Sequence, residues 1–257
     1  DLLTRLKATR FPDAETVEDW RQGLPLSYQQ ELIDYWRTDY DFSRVATRLS
    51  EFDNFLTEIE GIDIHFIHKR SRHTSATPLL ITHGWPGSVL EYLDVIEALT
   101  NPTAFGGTVD DAFHVVLPAL PGFGFSGKPD RPGTDVPVIA NMWEQLMQRL
   151  NYTTFYAHGG DWGSIVTQAV LLQETTGCLS GHCTLPIVMP DETTLDNLQA
   201  EEIDALESFQ FYNEWDSGYS KIQSTRPQTL GYSLADSPAG QMAWIIEKFA
   251  FWMDCET

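Results

Sequence analysis

The stretch TFYAHGGDWGSIVTQAVLL, residues 154–172, decides the fold class. Thr154-Phe155-Tyr156-Ala157 is a short β-rich run, and Ile165 to Leu172 is an apolar helical stretch. Between them lies Gly159-Gly160-Asp161-Trp162-Gly163. A strand that passes at once into a helix needs small residues where the two backbones meet, and Gly159 and Gly163 stand two positions either side of Asp161. In such an elbow the central residue is held in strained geometry at the end of the sheet. Aspartate, with a reference pKa of about 3.9, is ionised at neutral pH and attacks saturated carbon without help from a base, giving an alkyl ester. A plain turn followed by a helix N-cap would use the same residues, so the neighbouring segments decide.

Outward from this stretch, Leu79-Leu80-Ile81-Thr82 and Phe113-His114-Val115-Val116-Leu117 read as two further buried strands. Met142, Trp143, Leu146, Met147 and Leu150 recur at helical spacing between the second strand and the third. Short buried strands alternating with helices predict an α/β fold, a mostly parallel sheet covered on both faces. Each strand runs into a glycine-rich turn, at 83–88, 121–127 and 158–163, and ligands of open α/β sheets sit at the carboxyl ends of the strands. In His83-Gly84-Trp85-Pro86-Gly87-Ser88 the backbone N–H of Trp85 is assigned as one donor to an oxyanion, and that of Trp162 as the other. His83, beside a glycine turn, is read as a structural hydrogen-bonder rather than a base.

Residues 1–78 open with Leu2, Leu3 and Leu6, then Ser27 and Gln30 suggest a capping box ahead of Leu32, Ile33, Tyr35 and Trp36. Phe55, Thr57 and Ile59, a Gly61 turn, and Ile62, Ile64 and Phe66 predict a hairpin. The 257 residues carry 16 basic and 37 acidic side chains, a net charge of −21. That balance disfavours nucleic acid and anionic membranes and fits an uncharged substrate, with the acid forming a solvated surface or marking a saline habitat. Cys178, Cys183 and Cys255 form neither a C-x-x-C pair nor an even framework, so free thiols in a reducing, cytoplasmic setting are expected. There is no run of eighteen apolar residues, so no membrane span is expected. No metal-ligand spacing is present, and GFGFSG at 122–127 lacks the helix and ribose-binding acid of a nucleotide site. No cofactor is therefore expected.

These segments together resemble the microsomal-type epoxide hydrolases, including the juvenile-hormone epoxide hydrolases. The resemblance rests on EFDNFLTEIEGIDIHFIH (51–68), HGWPGS (83–88), LPALPGFGFSGKP (117–129), GGDWGS (159–164) and GYSKIQSTRPQTLGYSLADSPAGQMAWIIEKF (218–249), and covers essentially the whole chain. It implies an α/β-hydrolase fold with an N-terminal module at 1–78, the first part of the core at 79–190 and a helical lid at 191–257. It also implies a small lipophilic epoxide as substrate, opened by Asp161, with Tyr219 as a lid tyrosine donating to the epoxide oxygen; Trp85, Phe123 and Trp162 suit such a substrate. Tyr232 is given no role. The family's second lid tyrosine, catalytic histidine and acid partner fall beyond Thr257, and His65, His68, His73, His83, His114, His158 and His182 occupy none of those positions. A longer gene product, a second polypeptide or a homo-oligomer is the expected context, and the chain alone is expected to form the ester without efficient turnover. A haloalkane dehalogenase would use the same aspartate with the Trp162 indole holding halide, and a non-catalytic carrier of hydrophobic ligands would use the same pocket.

Overall fold

The computed structural model describes residues 1–173, 177–186, 188 and 191–254. Two compact units emerge, one formed by Phe42–Met189 and one by Asp1–Asp41 with Pro190–Thr257. This grouping cuts across the chain-order segments of the sequence.

The first unit is the α/β body. Its sheet has strands β1 (Asn54–Ile59), β2 (Ile62–Lys69), β3 (Thr77–Thr82), β4 (Phe113–Pro118), β5 (Phe155–Gly159) and β6 (Cys178–Cys183), in the order β1-β2-β4-β3-β5-β6. The β1–β2 hairpin forms with Ile59 opposite Ile62 and Phe55 opposite Phe66. Both turn residues, Glu60 and Gly61, have positive φ (53° and 83°), the backbone twist that a two-residue hairpin turn requires. β2 joins β4 antiparallel, while β4, β3, β5 and β6 run parallel. Alternate residues of the central strands point to opposite cores. Leu80 and Val116 pack with Met142, Trp143, Leu146 and Met147 of α5 (Val136–Arg149) and Val166 and Val170 of α6 (Trp162–Leu171). Leu79, Ile81, Val115 and Leu117 pack with Leu93 and Ile96 of α4 (Leu93–Thr100), a helix that follows α3 (Ser43–Ser50) in the chain. Two-sided burial explains why β3 and β4 read as unbroken apolar runs. The fully buried Trp143 donates its indole N–H to Thr82 Oγ1 at 3.1 Å, fixing α5 to the end of β3.

The second unit is helical: α1 (Leu2–Lys7), α2 (Leu26–Thr38), α7 (Ala200–Phe211), α8 (Gly218–Thr225), α9 (Pro227–Asp236) and α10 (Pro238–Trp252). Leu6, Ile33 and Ala239 form its buried centre, with Leu2, Trp36 and Met242 against them. The Gln29 amide donates to the Ala239 carbonyl at 2.8 Å. The capping box expected at Ser27 does not form. α2 starts two residues earlier than that cap would set, at Leu26, behind Pro25, whose extended backbone (φ −61°, ψ 142°) already sets the helix entry without a side-chain cap. Ser237 does cap α10, accepting from Gly240 N–H at 3.0 Å. Cys178 and Cys183 are free thiols, and Cys255 lies outside the described residues. No helix among the described residues is long and apolar enough to cross a membrane.

His68 on β2 bonds the Tyr152 hydroxyl at 2.9 Å, and burial pushes its pKa down to about 4. The folded protein therefore resists a proton that the unfolded chain accepts near pH 6.5. Stability from this group is present above that value and is lost as the pH falls towards 4. We expect the urea midpoint to drop over this window and to drop less in His68→Asn; equal slopes would contradict it.

Candidate active site

β5 ends at Gly159 and α6 begins at Trp162, so only Gly160 and Asp161 make the turn. Asp161 takes φ 50° and ψ −124°, a region costly for a residue with a Cβ, on the order of 1–3 kcal/mol. The glycines allow this. A Cβ on Gly159 would fall on the Gly163 carbonyl, and one on Gly163 would fall on the Thr82 carbonyl at the end of β3. Ser164, wholly buried, donates to the Gly159 carbonyl at 2.8 Å and accepts from Leu185 N–H at 3.3 Å, tying α6 to the ends of β5 and β6.

The turn after β3 closes over Asp161. Trp85 N–H donates to Asp161 Oδ1 at 2.8 Å. That approach requires Gly84, where a Cβ would overlap the Asp161 carboxylate. His83 is fully buried: it accepts Leu120 N–H at Nε2 (3.1 Å), which places its proton on Nδ1, facing the Gly84 carbonyl at 3.0 Å. Burial pulls its pKa down, keeping the ring neutral. Both nitrogens are engaged in holding the turns after β3 and β4 together, which is a structural task. Phe123 meets the His83 ring edge-on at 5.4 Å and packs against the core. The loop at 122–127 is fixed through Ser126, which donates to the Ala119 carbonyl at 2.7 Å and accepts His65 N–H at 3.0 Å. The three glycine turns thus meet at the carboxyl ends of the parallel strands, with the Trp162 side chain 49% exposed beside them.

Two residues that the sequence reading passed over also stand close enough to Asp161 to feel its charge. Val89–Tyr92 form a single helical turn, and the Glu91 carboxylate folds back onto Gly87, where any Cβ would displace it. The Glu91 pKa is raised, mainly by burial and further by the Asp161 charge, with a hydrogen bond from the Ser88 backbone opposing. Tyr92 brings its hydroxyl beside Gly160, and its pKa is pushed up to about 12, first by burial and then by the charge of Glu91. No local pattern in the sequence signals this, because Gly87 precedes the helical turn that carries Glu91 and the contact forms only on folding.

Tyr219 is the second residue of α8 in the helical unit. Its hydroxyl lies 3.1 Å from that of Tyr212, its ring meets Trp252 edge-on at 5.1 Å, and Lys248 Nζ stands 5.1 Å from its ring centre. Tyr232, given no role, is 72% exposed. Among the described residues no group of three or more His, Cys, Asp or Glu is placed to hold a metal ion.

The chain matches two family models, "Epoxide hydrolase N terminus" over residues 1–92 and "alpha/beta hydrolase fold" over residues 77–222. It is 53% identical over 254 residues to a protein of Stigmatella aurantiaca (strain DW4/3-1) whose name assigns it provisionally to the epoxide hydrolases; the match covers 99% of this chain and 58% of that one. It is 33% identical to epoxide hydrolase 1 of Sus scrofa, across all of this chain and 60% of the relative. Among solved structures, the silkworm (Bombyx mori) juvenile hormone epoxide hydrolase superposes with a TM-score of 0.88 at 30% identity, covering 98% of this chain and 63% of that one. The Aspergillus niger epoxide hydrolase gives 0.87 at 29%, covering 96% and 65%. The chain thus spans about three fifths of the length of these relatives. With them the sheet and its helices are identified as an α/β-hydrolase fold.

Gly84→Ala tests the geometry: we expect it to cost about 1–3 kcal/mol through overpacking and to slow any chemistry at Asp161. Wild-type stability together with unchanged reactivity would contradict the packing described.

Proposed function

The chain belongs to the epoxide hydrolase family of the α/β-hydrolase fold, and on that premise we propose that Asp161 opens a small lipophilic epoxide to an alkyl–enzyme ester. The observation that carries the reading is the Trp85 N–H bond to Asp161 Oδ1 at 2.8 Å, on a residue held at positive φ. With Oδ1 engaged, Oδ2 is the attacking oxygen. As it bonds the epoxide carbon, the carbon–oxygen bond of the ring breaks, and the departing oxygen takes a proton from the Tyr219 hydroxyl. An alkoxide is a far stronger base than a phenolate, so this transfer runs downhill.

In the ester, Oδ1 becomes the carbonyl oxygen. When water adds to that carbonyl, Oδ1 gathers the negative charge, already within reach of Trp85 N–H, and the first amide of α6, on Trp162, is the second donor. The helix N-terminus adds its positive end. Hydrolysis then releases a vicinal diol and restores the Asp161 carboxylate, and the proton set free from water returns to the Tyr219 phenolate. The histidine and acid that activate water are assigned to no residue of this chain, so the covalent half of the reaction is what this chain tests.

Styrene oxide is the probe. We expect wild-type protein to gain the mass of one epoxide, or to release diol where the hydrolytic groups are supplied, and Asp161→Ala to do neither. A wild type that neither gains mass nor releases diol, or an Asp161→Ala variant that behaves like it, would overturn the reading.

A further inference from the structure

Tyr219 is braced by its own helical unit more heavily than a surface tyrosine requires. α7 ends in a widened turn, Tyr212–Asp216, where the chain makes i to i+5 bonds, and Ser217 N–H reaches back to the Tyr212 carbonyl at 2.7 Å. Such insertions rotate the side chains that follow and collect at functional positions. Here the insertion brings Tyr212 Oη within 3.1 Å of Tyr219 Oη. Beneath the ring, Lys248 of α10 is only 6% exposed. Its ammonium lies 5.1 Å from the Tyr219 ring centre and 5.7 Å from that of Trp252, bonded to Asp216 Oδ1 at 2.9 Å and Glu247 Oε2 at 2.8 Å. Trp252 donates its indole N–H to the other Asp216 oxygen at 2.9 Å. Burial alone would lower the Lys248 pKa, but its two carboxylates more than offset this and keep it charged. Ordering a lysine and burying its head group is costly, and a cation packed between two aromatic faces returns part of that cost as cation–π attraction.

Resting on the reading of Tyr219 as donor to the epoxide oxygen, we propose that Tyr212 and Lys248 are positioning residues for it: Tyr212 donates to Tyr219 Oη, and Lys248 with Trp252 clamps the ring. With Tyr212 as donor, Tyr219 gives its own proton to the epoxide oxygen as the ring carbon–oxygen bond breaks. The electron pair left on Tyr219 then accepts the Tyr212 hydrogen bond. A hydrogen bond to the charged form favours that form. Of the charged groups around Tyr219, Lys248 stabilises the phenolate while Asp216 and Glu247 oppose it, each already bonded to Lys248. The Tyr212 hydroxyl therefore provides the larger support, and Lys248 fixes where Tyr219 Oη stands.

The test is carbon-13 ring NMR of tyrosine-labelled protein, with the Tyr219 signal assigned from Tyr219→Phe, beside the rate of ester formation with styrene oxide. Tyr212→Phe removes one oxygen and keeps the ring. We expect the Tyr219 midpoint to rise by about one pH unit and ester formation to slow by about tenfold, with half-saturation unchanged. Lys248→Arg, which keeps the cation over the ring, should retain the wild-type rate, and Lys248→Met should not. An unmoved Tyr219 midpoint in Tyr212→Phe, or equal rates in the arginine and methionine variants, would overturn the proposal; if the methionine variant does not fold, the Tyr212→Phe titration decides. The titration needs no epoxide, so failure of the wild type to form an ester would remove the donor reading while leaving the phenol pairing decided on its own.

Discussion

The close approach of three backbones at the end of the parallel sheet is the constraint on which the rest depends. β5, α6 and the end of β3 meet where Gly159 and Gly163 carry no side chains, and neither position has space for a Cβ. With the chain turning in two residues, Asp161 is forced to positive φ, and its carboxylate is carried to the Trp85 amide. Strain of this kind persists only where the surroundings over-determine it. Here Ser164 bonds back to Gly159, Trp143 anchors Thr82, and His83 locks the turns after β3 and β4 to each other. The fold's stability is spent on holding one carboxylate in place.

The same constraint explains what was legible in the sequence. Glycines at 84, 159 and 163 announce the elbow because no other residue fits, and Gly61 with positive φ announces the hairpin. β3 and β4 announce themselves because burial on both faces leaves no polar alternation, whereas the mostly exposed β6 carries no apolar run and was not expected. The start of α2 was misread because Pro25 fixes the helix entry through its ring rather than through a side-chain bond, leaving Ser27 inside the helix. Glu91 and Tyr92 were missed because their relation to Asp161 arises only when the turn after β3 folds over the elbow.

The helical unit was less legible still. Its apolar periodicity predicts helices, but the sequence gives no sign that Lys248 would be buried against Tyr219 and Trp252, since cation–π contacts follow from tertiary packing rather than spacing. Likewise, the widened turn at Tyr212–Asp216 leaves no pattern that a helical period would expose. Residues 32 positions apart, Asp216 and Lys248, form an ion pair that organises the surroundings of the tyrosine.

With 37 acidic residues in the chain, the central claim is that one carboxylate is set apart by geometry. The most direct measurement locates the label left by a stoichiometric epoxide, by peptide mass mapping of the acid-quenched protein. The account predicts a single modified residue, Asp161. Label on the neighbouring Glu91, or spread over several acidic side chains, would contradict it.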